Sequence, residues 1–348
     1  MKRIFSTEIF KRFYTLKSHK IYSLPIAILM PHSRCNCKCV MCDIWKGNKN
    51  VKELSENDIK EMLESFEILK TKLVVMSGGE ALMHPNFFRL CDILKSKKIS
   101  IAILSTGLLL KKYVNEIIEK TDEVIVSLDG SKEVHDIIRN IPNAYDKLKE
   151  GVQELKSLDP NFRVTARCVI QKENYYDLPN IIEAAHEIGL DQIGFLTADV
   201  TTDAFNRPEP WVDEKVDEVS LSIDELQHFK ETINSLLQTH SKDFKNKFIA
   251  ESPEKIKNFY NYYAAFHGLC DFPPIKCNAP WVSAVVEADG SVRPCFFHAV
   301  SGNISDNSFS DILNSESSIS FRKSLDVASN PVCKKCVCSL NLSPFAKL

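Results

Sequence analysis

A chain of 348 residues, 44% of them apolar, can bury a core of roughly 200 to 250 residues and still carry a second, smaller module. Its formal net charge of −2 gives no electrostatic hold on nucleic acid, and no apolar run reaches the ~18 residues that a membrane span needs. Twelve cysteines without a signal peptide argue against a secreted disulfide scaffold and for a reducing, cytoplasmic setting in which thiols bind metal.

Residues 1–23 open the chain with a basic amphipathic segment. Ile4, Phe5, Ile9, Phe10, Phe13 and Leu16 are spaced for one helical face among Lys2, Arg3, Lys11, Arg12, Lys17 and Lys20. A membrane-surface or partner-docking helix has this pattern, and so does a helix packed on its own domain, the reading we favour. Alternating strand and helix patterns follow over 24–200. The strands are expected at Pro25–Met30, Leu73–Met76, Ile99–Leu104, Glu123–Leu128, Val164–Ile170 and Gln192–Leu196; helices fall between them at Ser55–Leu69, Pro85–Lys95, Leu110–Lys120, Ala144–Ser157 and Leu178–Ile188. Ser55 suits an N-cap, and Gly189 closes the last of these helices. Such a βα repeat demands an α/β fold with a parallel sheet and outer helices.

Chemistry gathers at the C-terminal ends of parallel strands, and the motifs sit there. Cys35, Cys39 and Cys42 follow the first strand in a C-x3-C-x2-C loop tight enough for three thiolates to hold one iron–sulfur cube, with one iron left open. Zinc is the alternative occupant, although its fourth ligand would have to be the cramped Cys37. Gly78-Gly79-Glu80 ends the second strand, Ser105-Thr106-Gly107 the third and Ser127-Leu128-Asp129 the fourth, with Arg139 farther on.

Residues 201–270 read as a helical connector or lid. Thr201–Val212 is expected to be an ordered loop over the barrel mouth, and Ser222–Thr239 and Pro253–Phe266 to be helices, the first with a capping box from Ser222 and Glu225. In 271–348, Val282–Ala288 and Ser291–Arg293 flank Asp289-Gly290 as a hairpin between Cys277 and Cys295, and Cys333-x-x-Cys336 follows. Four thiolates can close a complete cluster, with a four-cysteine zinc ribbon as the alternative. Cys91 and Cys168 read as buried packing residues, and Cys270 and Cys338 as spares.

The cysteine loop and the ordered motifs behind it resemble the radical S-adenosylmethionine (SAM) superfamily, and Cys277-x12-Gly290-x4-Cys295 with Cys333 and Cys336 resembles the SPASM module in its single-cluster twitch form. The resemblance implies a (β/α)6 partial TIM barrel with a small C-terminal α+β domain. It implies a SAM-binding [4Fe-4S] cluster on Cys35, Cys39 and Cys42, and one auxiliary [4Fe-4S] cluster on Cys277, Cys295, Cys333 and Cys336. Met41, Gly78, Gly79, Glu80, Ser127, Arg139 and Leu196 are then the expected SAM contacts: the glycines through their backbone, Arg139 as a fork for a carboxylate, and Met41 and Leu196 near the adenine. Two departures from the family pattern stand out, Ala81 in place of a proline and Gly107 directly after Thr106.

The implied reaction is reductive cleavage of SAM to a 5′-deoxyadenosyl radical that abstracts hydrogen from a substrate. A fully ligated second cluster suits a net oxidation, and the first cluster needs a low-potential donor such as ferredoxin or flavodoxin. Asp199, Asp203 and His298 are candidates for a general base by location. With 34 residues before Cys35 leaving no room for a fused leader-binding domain, the substrate is expected to be a small molecule, with a ribosomally made peptide as the alternative and a zinc scaffold or electron-transfer protein as the non-enzymatic one.

Overall fold

The computed structural model describes residues 2–207 and 209–346, with the side chains of 2–6 outside that description, so Lys2, Arg3, Ile4 and Phe5 of the expected N-terminal face are not assessed. Six parallel strands run in chain order: β1 (Ile26–Leu29), β2 (Leu73–Met76), β3 (Ser100–Ser105), β4 (Glu123–Ser127), β5 (Arg163–Ile170) and β6 (Gln192–Thr197). The sequence places all six. Helices cover their outer face, and Leu29, Val74, Ile101, Val124, Val164 and Ile193 are buried beneath them. Local chemistry fixes several ends. Ser55 and Asp58 form a reciprocal capping box on helix Glu56–Ile68, Ser222 and Glu225 do so on Ile223–Thr239, and Gly189 ends Leu178–Ile188 at φ +89°.

Beyond the barrel, β7 (Ser283–Val286), β8 (Ser291–Arg293) and β9 (Gly302–Asn303) complete one sheet in the order β6-β5-β4-β3-β2-β1-β7-β8-β9. β7 runs parallel to β1, Ile26 opposite Ser283 and Leu29 opposite Val286, and β8 returns antiparallel. The C-terminal hairpin expected as part of a small separate domain thus continues the barrel's own sheet. At the other edge, residues 248–250 bond to Ile193 and cover β6.

The N-terminal helix, Lys2–Ser18, is rotated from the expected orientation, so that Ile9 and Leu16 are only half-buried and a polar edge turns inward. Phe10 and Phe13 are 63% and 56% exposed, whereas Arg12 and Thr15 are buried. Polar bonds decide its orientation: Arg12 Nη1 donates to the carbonyl of Ala346 at 2.6 Å, Thr15 Oγ1 accepts from Tyr22 N at 2.9 Å, and Glu8 pairs with Lys72 at 3.0 Å. The sequence reading also omits helix Lys132–Arg139, whose brevity hides its period, and the short C-terminal helices Phe309–Asn314 and Glu316–Ser324.

Candidate active site

The loop after β1 is held from three sides. Asn48 clamps Cys35, its Oδ1 accepting from Cys35 N and its Nδ2 donating to Cys35 O, both at 2.9 Å. Lys38 N and Val40 N donate to the carbonyls of Arg139 and Ile138, using acceptors that the end of helix Lys132–Arg139 leaves free. On the third side stands the loop after β2. A Cβ on Gly79 would lie 2.1 Å from the Arg34 carbonyl oxygen, and Gly78 adopts φ +105° against Met30. The missing Cβ of Gly79 therefore makes room for the chain's own backbone one residue before Cys35.

Glu80 is fully buried and accepts from Leu82 N, Ser105 Oγ, Thr106 N and Thr106 Oγ1 at 2.7–3.2 Å. It ties the end of β2 to that of β3, which agrees with a turn-locking role. Burial raises its pKa, and these donors oppose the shift. The same bonds occupy Ser105 and Thr106, whose hydroxyl also lies 3.0 Å from Asn36 Oδ1 in the cysteine loop.

Arg139 is buried at the centre of this region. Its Nη2 donates to Asp129 Oδ2, its Nη1 lies 3.4 Å from Cys39 Sγ, and its Nε is buried without a partner. The carboxylate expected at its fork is in this structure that of Asp129, whose other oxygen accepts from Val169 N at 2.7 Å. Burial opposes the Arg139 charge, but Asp129 and the neighbouring thiols outweigh it and keep the guanidinium protonated. A hydrogen bond with Cys37, together with Arg139, lowers Cys39 to about 6 against the cost of burial, while Cys37 is pushed up. Burial raises Cys35 and Cys42 to about 12, and the three loop cysteines feel one another's charge.

Sequence reasoning missed Arg207. Its side chain is buried in the loop after β6, with Nη1 and Nη2 each 2.8 Å from Asp199 and Nη2 3.4 Å from the Met41 carbonyl. It stacks 3.7 Å over Trp211, whose Nε1 donates to Asp43 Oδ2 at 2.9 Å. The loop expected over the mouth is thus bolted to the cysteine loop. An Asp, an Arg and a Trp in one loop rich in turn residues is the sequence signal that could have flagged it. Asp199 is occupied by this pair, and Asp203 points to solvent.

The barrel's inner face carries a row set by strand register. Ser127 lies opposite Arg167, Arg167 opposite Gly194, and Val169 opposite Leu196. In-register parallel neighbours point to the same side, so Ser127, Arg167 and Gly194 line one face with Leu196 one step above. A Cβ on Gly194 would meet Arg167 Nη1 at 2.5 Å, so the missing side chain makes room for the guanidinium. Half-exposed Arg167 reaches buried Glu251 at 3.4 Å, and Lys255 shares that carboxylate at 3.7 Å.

Cys277, Cys295, Cys333 and Cys336 come together from the segment ahead of the short helix Ala279–Val282, the turn after β8, and the C-terminal helix Pro331–Lys334 with the residues just past it. Each lies within the electrostatic field of others in the set. Burial raises Cys295 to about 12 and Cys333 to about 11. His298 places a ring nitrogen 3.3 Å from Cys333 Sγ. Cys338 lies near Cys277 and within the field of Arg167 and Lys255, which links this set to the barrel's inner face. Cys91 and Cys168 are fully buried. Cys270 is exposed and donates to the Asn261 carbonyl.

Residues 29–185 match the family model of the radical SAM superfamily, and residues 277–337 match that of SPASM, an iron–sulfur cluster-binding domain. Among curated proteins, the Fe-coproporphyrin III synthase of Methanosarcina barkeri is 26% identical over 49% of this chain and 43% of its own length. The antilisterial bacteriocin subtilosin biosynthesis protein AlbA of Bacillus subtilis is 23% identical over 81% of this chain and 58% of its own. Streptococcus suis SuiB bound to precursor peptide SuiA superposes with a TM-score of 0.66 at 14% identity, over 94% of this chain and 74% of SuiB, a likeness of fold. The chain spans less than half the length of the first curated relatives it matches.

Proposed function

For a chain that belongs to the radical SAM superfamily and carries a SPASM domain, we propose an enzyme that cleaves SAM reductively and oxidises a substrate held between its two cysteine groups. The first domain implies SAM and a [4Fe-4S] cluster, and the second implies auxiliary iron–sulfur clusters. The residues present fit such groups. Both sets are thiol-only and partly or wholly buried, as soft iron–sulfur cages require. Among the described residues, no three metal-binding side chains are grouped as a single ion would need. When bound, these groups supply the electron, the hydrogen-atom abstraction and an acceptor for the electron left on the substrate.

The chain's own residues do the rest. Cys35, Cys39 and Cys42 would hold the first cluster and Cys277, Cys295, Cys333 and Cys336 the second. Arg139 places a buried cation against Cys39, offsetting thiolate charge, and Arg207 fixes the backbone of Met41. Ser127 and Leu196 face the interior where SAM would lie. Arg167 offers that interior a positive charge only partly met by Glu251, which suits an anionic group on the substrate. The loop bolted by Arg207 and Trp211 helps exclude water from the mouth.

One observation carries this reading: in the interior row Ser127, Arg167 and Gly194, Arg167 acts on Cys338 beside the second cysteine group, while Asp129, two residues after Ser127, pairs with Arg139, which contacts Cys39 of the first. A substrate on that row lies between both cysteine groups. A peptide substrate is favoured by the similarity to AlbA, which extends over 81% of the chain and so reaches into the C-terminal region. A small anionic molecule is the second reading, favoured by the half-exposed Arg167. The electron donor is a low-potential protein such as ferredoxin or flavodoxin. Among the described residues no helix is long and apolar enough to cross a membrane.

The test is anaerobic reconstitution, iron and sulfide counting, reduction with dithionite and addition of SAM. About eight irons per chain with release of 5′-deoxyadenosine supports the reading, and bound zinc without SAM cleavage sinks it. Titration with short synthetic precursor peptides, against small polycarboxylates as competitors, then separates the two substrate classes.

A further inference from the structure

His298 is in direct contact with the second cysteine group and is held there from several sides. Its ring nitrogen Nε2 lies 3.3 Å from Cys333 Sγ, within the range of a hydrogen bond to sulfur. Its backbone carbonyl accepts from Arg293 Nη1 at 2.9 Å, and Arg293 is anchored in turn by Glu287 at 2.9 Å. The backbone N–H of His298 donates to the Cys295 carbonyl at 3.4 Å, and its ring packs edge-on to Phe321 at 5.0 Å. Only 8% of the residue is exposed. A ring fixed at both its backbone and its face cannot swing away from the sulfur without unpacking this corner.

The chemistry of the acceptor sets the direction of the bond. A cysteine that ligates iron is a thiolate, which has no proton to give, so the contact exists only if the imidazole donates through Nε2–H. Hydrogen bonds to cluster sulfurs are among the factors that set iron–sulfur potentials, because they stabilise the added negative charge of the reduced state. We propose that His298 is a positioning residue for the auxiliary cluster, its Nε2–H bond to Cys333 raising that cluster's reduction potential so that it can take an electron from the substrate side. The inference rests on reading Cys277, Cys295, Cys333 and Cys336 as the ligands of that cluster.

No other residue need touch the substrate for this role, and it separates His298 from the general-base assignment its location first suggested. The first cluster has a different neighbour in the same place: Arg139, a full charge, stands by Cys39 where a neutral ring stands by Cys333. Potentiometric titration followed by electron paramagnetic resonance on the reconstituted full-length protein reads both clusters in one experiment.

His298→Phe keeps the ring packing and removes the donor, and His298→Gln restores an amide N–H near the Nε2 position. The expected result is a lower midpoint for the auxiliary cluster in H298F, partial or full return in H298Q, unchanged iron content in both, and no shift in the SAM-binding cluster. An auxiliary midpoint equal in wild type and H298F overturns the inference while leaving the proposed function standing. A wild-type protein that assembles only the first cluster overturns the reading on which it rests. If H298F loses iron, His298→Leu takes its place as the variant without a donor: an H298Q midpoint no higher than that of H298L also overturns it.

Discussion

The two cysteine groups share a sheet but are built on opposite plans. The first is fastened by charge and by tightly packed backbone: Arg139 joins Asp129 to Cys39, Arg207 pins Met41, and Gly79 lets the Arg34 carbonyl come close. The second has neutral contacts nearest its thiols, with the Arg293–Glu287 pair one step behind His298. His298 meets Cys333, Asn330 caps helix Pro331–Lys334, and Asn278, the residue after Cys277, bonds to the carbonyls of Leu340 and Leu342. Three thiols with one position open need a rigid, charged frame that also receives a ligand, whereas four thiols close their own coordination and need only be kept together. The difference teaches where function should be fragile, and each prediction below presses on one side of it.

Removing a thiol from each group gives the largest contrast. Cys39→Ala should abolish 5′-deoxyadenosine formation and leave about half the iron. Cys336→Ala should also cost about half the iron, yet retain SAM cleavage without substrate. Iron analysis and chromatography of the nucleoside check both variants. Loss of SAM cleavage in both would end the division of labour between the groups.

Next in size is the buried ion pair. Asp129→Asn leaves Arg139 charged and unpaired in the interior, for which a cost of about 3 to 5 kcal/mol is expected. Urea unfolding at pH 7 measures it. The neutral contact of the second group should be cheaper to break, so a smaller loss in D129N than in H298F would reverse the comparison.

Much of the frame is readable from sequence, and the unread part has physical causes. Strands and long helices announce themselves by period and caps, as at Ser55, Ser222 and Gly189. The cysteine spacings announce both groups, and the two family models match the regions that contain them. What escapes is long-range and polar. No local pattern says that Arg139 will face Asp129 and Cys39, that Arg207 will cross to Met41, or that β7 will pair with β1. The N-terminal helix shows the same limit from the other direction, because its aromatic stripe is plain in the sequence while single bonds at Arg12 and Thr15 choose the buried side.

A backbone substitution probes the frame without touching a ligand. Gly79→Ala would set a methyl group 2.1 Å from the Arg34 carbonyl oxygen, so the cysteine loop must shift. The fold should persist, since the clash lies at a loop end, while iron retained by the first group falls several-fold and that of the second stays constant. Iron content in a Cys336→Ala background isolates the first group. Full retention there would mean that the loop tolerates a displacement the packing does not suggest.

The smallest effect concerns protons. His32, His84 and His135 are buried in the barrel and each has its pKa lowered, with desolvation the leading cause, and His135 is held well below 6.5. In the unfolded chain these rings take up protons as the pH falls through about 6.5, while in the fold they stay neutral to lower pH. The unfolded state then binds more protons, so stability is full above that value and declines as the pH drops from 7 to 5. The slope is at most about 1.4 kcal/mol per pH unit for each ring. His135 accepts from Asp129 N at 3.2 Å, and His135→Gln can keep an acceptor there without a titrating ring. Urea midpoints at pH 7 and pH 5 should therefore lie closer together in H135Q than in wild type. Equal spacing would place the pH dependence elsewhere, with the buried His298 of the second group, also lowered by burial, as the next ring to replace.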